Sequence, residues 1–277
     1  GTLPAQWSAL RGVTRMRLNN NFLGGLLPPA WSSLQEVRDM RLGGNSFAGT
    51  LPPEWSGLRS ALDDGFRELM DPPLSEVDAL LALKNQQQSG TFLDWGSMKP
   101  KCEWTGVRCN TDGNVSRLGI GSARSNRLVG TLPPEWSVLT GISYVGLSGF
   151  TGTLPPQWST LTQMYDMFMD NNSFTGTLPP EWSMMKDINE MLLDHNSISG
   201  TLPPQWSTMT NLEEIILQDN RLTGTLPPQW SGLTDLEYIY LYDNRLSGTL
   251  PTSWTTLRLG HIHLSDNRIS GTLPPQW

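Results

Sequence analysis

The sequence predicts an α/β repeat solenoid, and three observations carry that expectation. The phrase G-T-L-P-P-[Q/E]-W-S recurs, with small variations, at Gly1, Gly25, Gly49, Gly130, Gly152, Gly176, Gly200, Gly224, Gly248 and Gly271. Its spacing is 22 to 24 residues apart from one gap of 81 between Gly49 and Gly130. A near-fixed period in this range marks one supersecondary unit stacked many times. Each unit also holds a short segment in which apolar and polar residues alternate, the signature of a half-buried strand. No single unit can bury its apolar face alone, so stacking supplies the core and the ends need caps.

The unit from Met209 to Trp230 shows what each part is expected to do. Met209, Leu212, Ile215, Leu217, Leu222 and Leu226 are its apolar positions, and Ile215 to Leu217 is predicted as a short strand. Gly224 supplies a backbone position where a Cβ is not expected to fit. Pro227 and Pro228 fix φ and remove two donors, so the return path is expected to be polyproline-like or 3-10 rather than a long helix. Trp230 is the large apolar anchor of the outer side, and successive Trp residues are expected to form a ladder there. The whole unit reads L-x-x-L-x-x-L-x-L-x-x-N-x-L-x-G-x-L-P, which resembles the leucine-rich repeat. That resemblance implies a horseshoe or superhelix with short parallel strands on its concave face. It also implies that Asn21, Asn45, Asn172, Asn196, Asn220, Asn244 and Asn267 bond neighbouring backbone inside each turn.

Composition narrows the class. The chain has 277 residues, of which 27 are Gly and 21 are Pro, and only 16% are charged. Repeating turns account for the Gly and Pro, and the strict period argues against disorder. A net charge of −7 argues against a nucleic-acid partner. No apolar run approaches the ~18–20 residues that span a bilayer. The chain starts at Gly1 and ends at Trp277 inside repeats, and so reads as a piece of something longer.

Taken in order, residues 1–58 form a first block of repeats, with strands expected at Val13–Leu18 and Val37–Leu42. Residues 59–73 are expected to be a linker or capping helix, with Ser60 and Asp63 as its capping box and Leu62, Phe66, Leu69 and Met70 on one face. A second helix is expected from about Glu76 to Gln88. Ser75 and Asp78 form its capping box, and Val77, Leu80, Leu81 and Lys84 mark one side. Residues 130–277 form a second block of repeats.

Between the two blocks, D-A-L-L-A-L-K, then a Trp, then C-x-W-x-G-V-x-C and V-x-R-L resemble the N-terminal cap of plant-type leucine-rich repeat proteins, including receptor ectodomains. The resemblance places that cap at residues 74–129. Cys102 and Cys109 have a C-x6-C spacing, which does not fit the usual zinc pattern. They read as one disulfide of an oxidising compartment, the alternative being two reduced cysteines in the cytosol. The sequons at Asn114 and Asn171 point the same way. The repeats carry Trp where plant repeats usually carry Leu, and L-P-P-[Q/E]-W-S resembles surface antigens and proteophosphoglycans of trypanosomatid protozoa. That resemblance implies an extracellular or cell-surface glycoprotein.

The exposed strand positions are the candidate contact surface. In the second block these include Tyr165, Asp166, Phe168, Asp170, Glu190, Asp194, Glu214, Gln218, Tyr238, Tyr240 and Tyr242, an acidic and Tyr-rich set. Residues 1–60 carry Arg11, Arg15, Arg17, Arg38, Arg41 and Arg59 against Glu36, Asp39 and Glu54. His261-Ile262-His263 with Asp266 offers metal-ligand chemistry, but spacing fixes no third ligand, so no metal or cofactor is expected. Glu213-Glu214 lacks the pocket that acid–base work requires, and no enzyme is expected. Two functional readings follow. The first is a non-enzymatic extracellular scaffold, a coat or filament subunit stacking head to tail with further copies. The alternative is a recognition ectodomain binding a protein, peptide or glycan on its concave face. Uniform exposed positions would favour the first, and unlike residues concentrated in adjacent repeats would favour the second.

Overall fold

The computed structural model describes residues 1–48, 51–63, 74–86, 94–121 and 130–275. The chain divides into two compact units, Gly1–Pro73 and Leu74–Trp277, each with its own apolar core.

In the second unit every repeat contributes one short strand to a single sheet. From the C-terminal side the order is His261–His263, Tyr238–Tyr240, Glu214–Ile216, Glu190–Leu192, Asp166–Phe168, Tyr144–Leu147 and Val115–Ile120, all parallel, followed by an antiparallel Val107–Cys109. The register is constant: Asp166, Glu190, Glu214, Tyr238 and His261 stand side by side, and so do Met167, Met191, Ile215, Ile239 and Ile262. Alternation therefore sorts the strands into an inner face of Met, Leu, Ile and Val and an outer face of variable residues.

Each strand ends in a turn that Asn holds. Asn220 donates through Nδ2 to the carbonyls of Leu193, Leu217 and Gln218, and its Oδ1 accepts the Ile198 N–H at 2.9 Å. Asn45, Asn172, Asn196, Asn244 and Asn267 repeat this pattern, whereas Asn21 reaches only the Leu18 and Asn19 carbonyls. Beyond the turn the chain pairs again in narrow parallel ladders such as Ser199–Thr201 with Arg221–Thr223. Gly224 lies here at φ +80, and a Cβ on it would stand 2.8 Å from the Thr201 methyl, so the notch takes only glycine.

The return path is a 3-10 turn, as in Pro228–Gly232, entered from an extended first proline. Its Trp is fully buried. Trp158, Trp182, Trp206, Trp230 and Trp254 each donate the indole N–H to the first-proline carbonyl of an earlier repeat, at 2.9–3.0 Å. Neighbouring rings stack, for example Trp206 on Trp230 at 6.4 Å and Trp230 on Trp254 at 6.2 Å. Strands in a sheet stand only about 4.8 Å apart. The Trp side is therefore the longer one, and the sheet lies on the concave face of this unit.

The helix α1 (Glu76–Gln86) closes the N-terminal edge of this stack. Its capping box forms as expected: the Ser75 Oγ accepts the Asp78 N–H, and the Asp78 carboxylate accepts the Ser75 N–H. The expected side is met in part: Leu80 is buried and Leu81 packs against the core. Ala79, Leu80 and Leu83 are the buried residues while Val77 is exposed, because the helix seats its i, i+1, i+4 face on Trp136. The Trp136 indole donates to the Ala79 carbonyl at 3.0 Å. The Lys84 ammonium turns back to the Trp95 carbonyl. Cys102 and Cys109 are joined in a disulfide with Cα atoms 5.4 Å apart. Beside it Trp95 and Trp104 stack at 6.1 Å inside the cap.

The first unit repeats the same construction with strands Arg15–Arg17 and Asp39–Arg41. Trp31 and Trp55 bond the Pro4 and Pro28 carbonyls. The block does not end at 58. Arg59–Ala61 is a 3-10 turn, Leu62 pairs with Met40 as a third strand position, and Leu58, Ala61 and Leu62 are core residues. A helix starting at Ser60 is thus overturned at its first turn: Leu62 occupies the repeat's strand position, and that pairing outcompetes the capping box. The remainder of the expected helix, including Phe66, Leu69 and Met70, lies outside the described residues.

Trp206→Ala is expected to cost ~3–5 kcal/mol, since it empties a fully buried site and leaves the Pro179 carbonyl without its donor. Hydrogen exchange should show loosening centred on the flanking repeats and little change at Val115–Ile120. Uniform exchange across the unit would mean that the repeats are not locally coupled.

Candidate binding face

The outer positions of the concave sheet form three rows. The first runs Arg117, Tyr144, Asp166, Glu190, Glu214, Tyr238, His261. The second runs Gly119, Gly146, Phe168, Leu192, Ile216, Tyr240, His263. The third lies two residues further along each strand and holds Ser148, Asp170, Asp194, Gln218, Tyr242 and Ser265. All eleven concave residues expected from the sequence in the second block lie on this face. Ten fall in these rows, and Tyr165 sits one position before the first, half exposed. None repeats uniformly along its row.

The rows have a polarity. At the cap end, the Arg117 guanidinium lies 4.1 Å over the Tyr144 ring, which meets Phe168 edge-on at 5.5 Å. Gly119 leaves the second row open there while the Tyr144 ring lies over Gly146, and a recess of about 440 Å³ opens between Gly106, Arg108, Arg117, Gly119 and Tyr144. A neighbouring hollow of about 470 Å³ is bounded by Arg117, Tyr144, Tyr165 and Asp166. The middle of the first row is three successive carboxylates, Asp166, Glu190 and Glu214. The far end is aromatic: Tyr238 stacks on His261 at 5.0 Å, and Tyr242 meets His263 at 4.3 Å. The two imidazoles are thus taken up by ring contacts along the rows. Arg117 was not among the expected face residues, because the cap strand lacks the repeat phrase; aligning Val115-Ser116-Arg117-Leu118 with the repeat strands would have found it. Tyr144 was not among them either, although its strand follows the Gly130 phrase and its register with Arg117 and Asp166 puts it in the first row.

The carboxylates stand close enough to disturb one another. Burial raises the pKa of Asp166 against an opposing Arg117 charge. Burial raises Glu190 as well, with Asp166 and Glu213 adding to it. Glu214 is raised by burial and then by Glu190. Asp194 is raised chiefly by burial. In the first unit the balance is opposite: Arg17 and Arg41 both bond Asp39, at 2.7 and 3.2 Å, and hold its carboxyl below the usual range. Arg38 approaches Glu36 at 3.9 Å. These arginines are engaged with acids of their own unit.

Asn114 and Asn171 are both exposed. Asn171 has a left-handed backbone, φ 52, at the strand end, where its side chain donates to Asp170.

Comparison with known proteins agrees with this geometry. Residues 73–110 match the family described as leucine rich repeat N-terminal domain, and residues 210–269 match the family described as leucine rich repeat. Among solved structures the chain is similar to the plant peptide hormone receptor RGFR1 in complex with RGF2, with 22% identity and a TM-score of 0.55 over 100% of this chain and 36% of that one. It is similar to the Arabidopsis receptor kinase HAESA in complex with the peptide hormone IDA and the co-receptor SERK1, with 23% identity and a TM-score of 0.52, covering 99% of this chain and 37% of that one. It is also similar to the BIR3–SERK2 complex from Arabidopsis thaliana, with 25% identity and a TM-score of 0.50 over 72% of this chain and 96% of that one. The chain spans well under half the length of the two receptors matched over nearly all of it. The fold is a leucine-rich repeat solenoid with a leucine-rich repeat N-terminal domain at the head of its second unit. These matches do not bear on the trypanosomatid resemblance. Among the described residues, no helix is long and apolar enough to cross a membrane.

The row of carboxylates predicts a pH effect. Their native pKa values lie above the unfolded ones of about 3.9 for Asp and 4.3 for Glu, so the native state holds protons that the unfolded state has released. The stability they contribute is fully present below the unfolded values and is lost as pH rises through the raised native ones. Glu190→Gln should therefore stabilise the second unit near pH 7, with the gain vanishing at about pH 3–4. Urea denaturation at the two pH values measures this, and an equal gain at both would assign the effect to packing instead.

Proposed function

We propose that this chain is a recognition ectodomain whose second unit binds an extended, basic peptide or a basic segment of a protein along its concave face. The observation that carries this reading is the contrast between the two faces. Most convex turns repeat the same Pro-x-Trp-Ser phrase, while no outer row of the sheet keeps one residue type along its length. A scaffold needs uniform contacts between units, whereas recognition needs unlike groups at fixed places. The likeness to receptor ectodomains, two of them in complexes with peptide hormones, supports recognition over a coat or filament subunit. It lends no support to a glycan ligand or to head-to-tail stacking.

The dimensions suit a short peptide. Seven parallel strands span roughly 30 Å, about nine residues of extended chain. The carboxylate row attracts cationic side chains, and the aromatic end offers flat apolar surface for a hydrophobic or aromatic residue. We place the protein outside the cell. The disulfide and the two accessible sequons support that location.

Selection of displayed random decapeptides on the intact chain should yield sequences enriched in Lys and Arg, with affinity that weakens as salt rises. Glu190→Lys should reduce their affinity at least about tenfold by placing a like charge in the row. Gln205→Lys, on the convex 3-10 turn, should leave it unchanged. Peptides that respond to Gln205→Lys and ignore Glu190→Lys would place recognition on the wrong face. Native material should also carry glycans on Asn114 and Asn171, detectable by peptide mass spectrometry; two bare sites would remove that support for secretion.

A further inference from the structure

The third row of the concave sheet contains an anomaly. Asp194 and Gln218 are each only 9% exposed, and Gln218 Oε1 is the one buried side-chain polar atom among the described residues with no hydrogen-bond partner. Buried polar atoms are almost always paired. This fold obeys the rule elsewhere: Asn189, Asn220 and Asn244, buried to a similar degree, all bond backbone carbonyls. Gln218 is no part of that repeating ladder, because the same position holds Ser148, Asp170, Tyr242 and Ser265 in other strands. Its acceptor serves no purpose in holding the repeats together.

Its surroundings say what would satisfy it. Backbone bonds from His195 to the Gln218 carbonyl, 3.1 Å, and from Asp219 to the Tyr242 carbonyl, 3.2 Å, fix Asp194, Gln218 and Tyr242 side by side. The spacing between them is that of adjacent strands, about 4.8 Å. On one side of the orphan acceptor stands a carboxylate, and on the other an aromatic ring backed by His263 at 4.3 Å. Asp170, Asp219 and Asp243 lie around this group. The His195 imidazole lies beside it, 3.5 Å from Asp194 and 3.0 Å from Asp219. Two neighbouring acceptors, a flat ring and an excess of negative charge call for a planar cation with several N–H donors. A guanidinium meets that description. It bonds two acceptors at once and stacks on an aromatic face, whereas an ammonium is a compact point charge without a plane.

We propose that Asp194, Gln218 and Tyr242 form a guanidinium subsite that anchors an arginine side chain of the ligand. This rests on the concave-face reading above and sharpens it from a basic ligand to one with an arginine at this place. Asp194 takes the charge, the Gln218 amide turns its covered Oε1 outward to accept a second N–H, and Tyr242 covers the plane. Burial already disfavours the ionised Asp194 carboxyl, and an arriving cation relieves that penalty.

The test uses the intact chain and three small probes: Nα-acetyl-arginine amide, Nα-acetyl-lysine amide and the neutral isostere Nα-acetyl-citrulline amide. Binding is read by NMR on the Gln218 side-chain amide at low salt. The arginine probe should shift that signal saturably and bind at least about tenfold more tightly than citrulline, with lysine between them. Asp194→Asn should weaken the arginine probe about tenfold. Gln218→Glu should tighten it by adding charge to the acceptor, so a loss of affinity in that variant overturns the assignment. Citrulline binding equal to arginine overturns it as well. So do arginine-induced shifts confined to Asp166, Glu190 and Glu214. If the subsite fails while selected peptides still respond to Glu190→Lys, recognition on the concave face stands without an arginine anchor. If the probe binds here but no displayed peptide is captured, the guanidinium site stands and the peptide reading falls.

Discussion

The indole N–H of each repeat's tryptophan, given to a proline carbonyl of an earlier repeat, is the contact on which the second unit depends. A large ring gains most by full burial, but its N–H is a donor that cannot be left without a partner there. The extended first proline supplies the answer, since it lacks an N–H of its own and presents its carbonyl toward the next layer. That one bond sets the axial step on the convex side. The Asn bonds set it at the turn, and the β-ladder sets it on the concave side. Three distances imposed at once fix the frame of the repeat, and the outer strand positions stand outside that frame, free to vary. The cap obeys the same condition: the Ala79 carbonyl of α1 receives Trp136 where no proline precedes it.

Much of this was legible in the sequence because it is periodic. The phrase around Leu-Pro-Pro-x-Trp located the 3-10 turns, the Asn positions located the bends, and the alternation located the strands to within two residues. What failed did so where the period breaks. At Ser60 a local capping pattern suggested a helix, yet Leu62 was already committed to pair with Met40. In α1 the spacing of apolar residues pointed to Val77, Leu80 and Leu81. The position of Trp136 put Ala79 and Leu83 beside Leu80 and left Val77 outside, which only a partner surface decides.

The candidate site divides along the same line. Its acidic and tyrosine residues could be read from alternation alone, and they do stand in common rows. Arg117 escaped notice because the cap strand carries no repeat phrase. The special standing of Gln218 had no sequence signal at all. Gln218 among acids and tyrosines looks like any polar surface residue, and only the placing of its neighbours shows that its oxygen is covered and unbonded. Satisfaction of a hydrogen bond is a property of three-dimensional surroundings, and periodicity carries no information about it.

The tryptophan–proline contact also has an evolutionary consequence. Because each layer presents the next with the same carbonyl, ring and asparagine, a cut and rejoining between any two equivalent points of the period makes a joint chemically like every other. Unequal recombination can therefore lengthen or shorten such an array by whole units at little cost to folding. What it alters is the order of residues across the sheet, shuffling the recognition surface while leaving its frame intact. Arrays of this construction can thus diversify by copy number as readily as by point mutation.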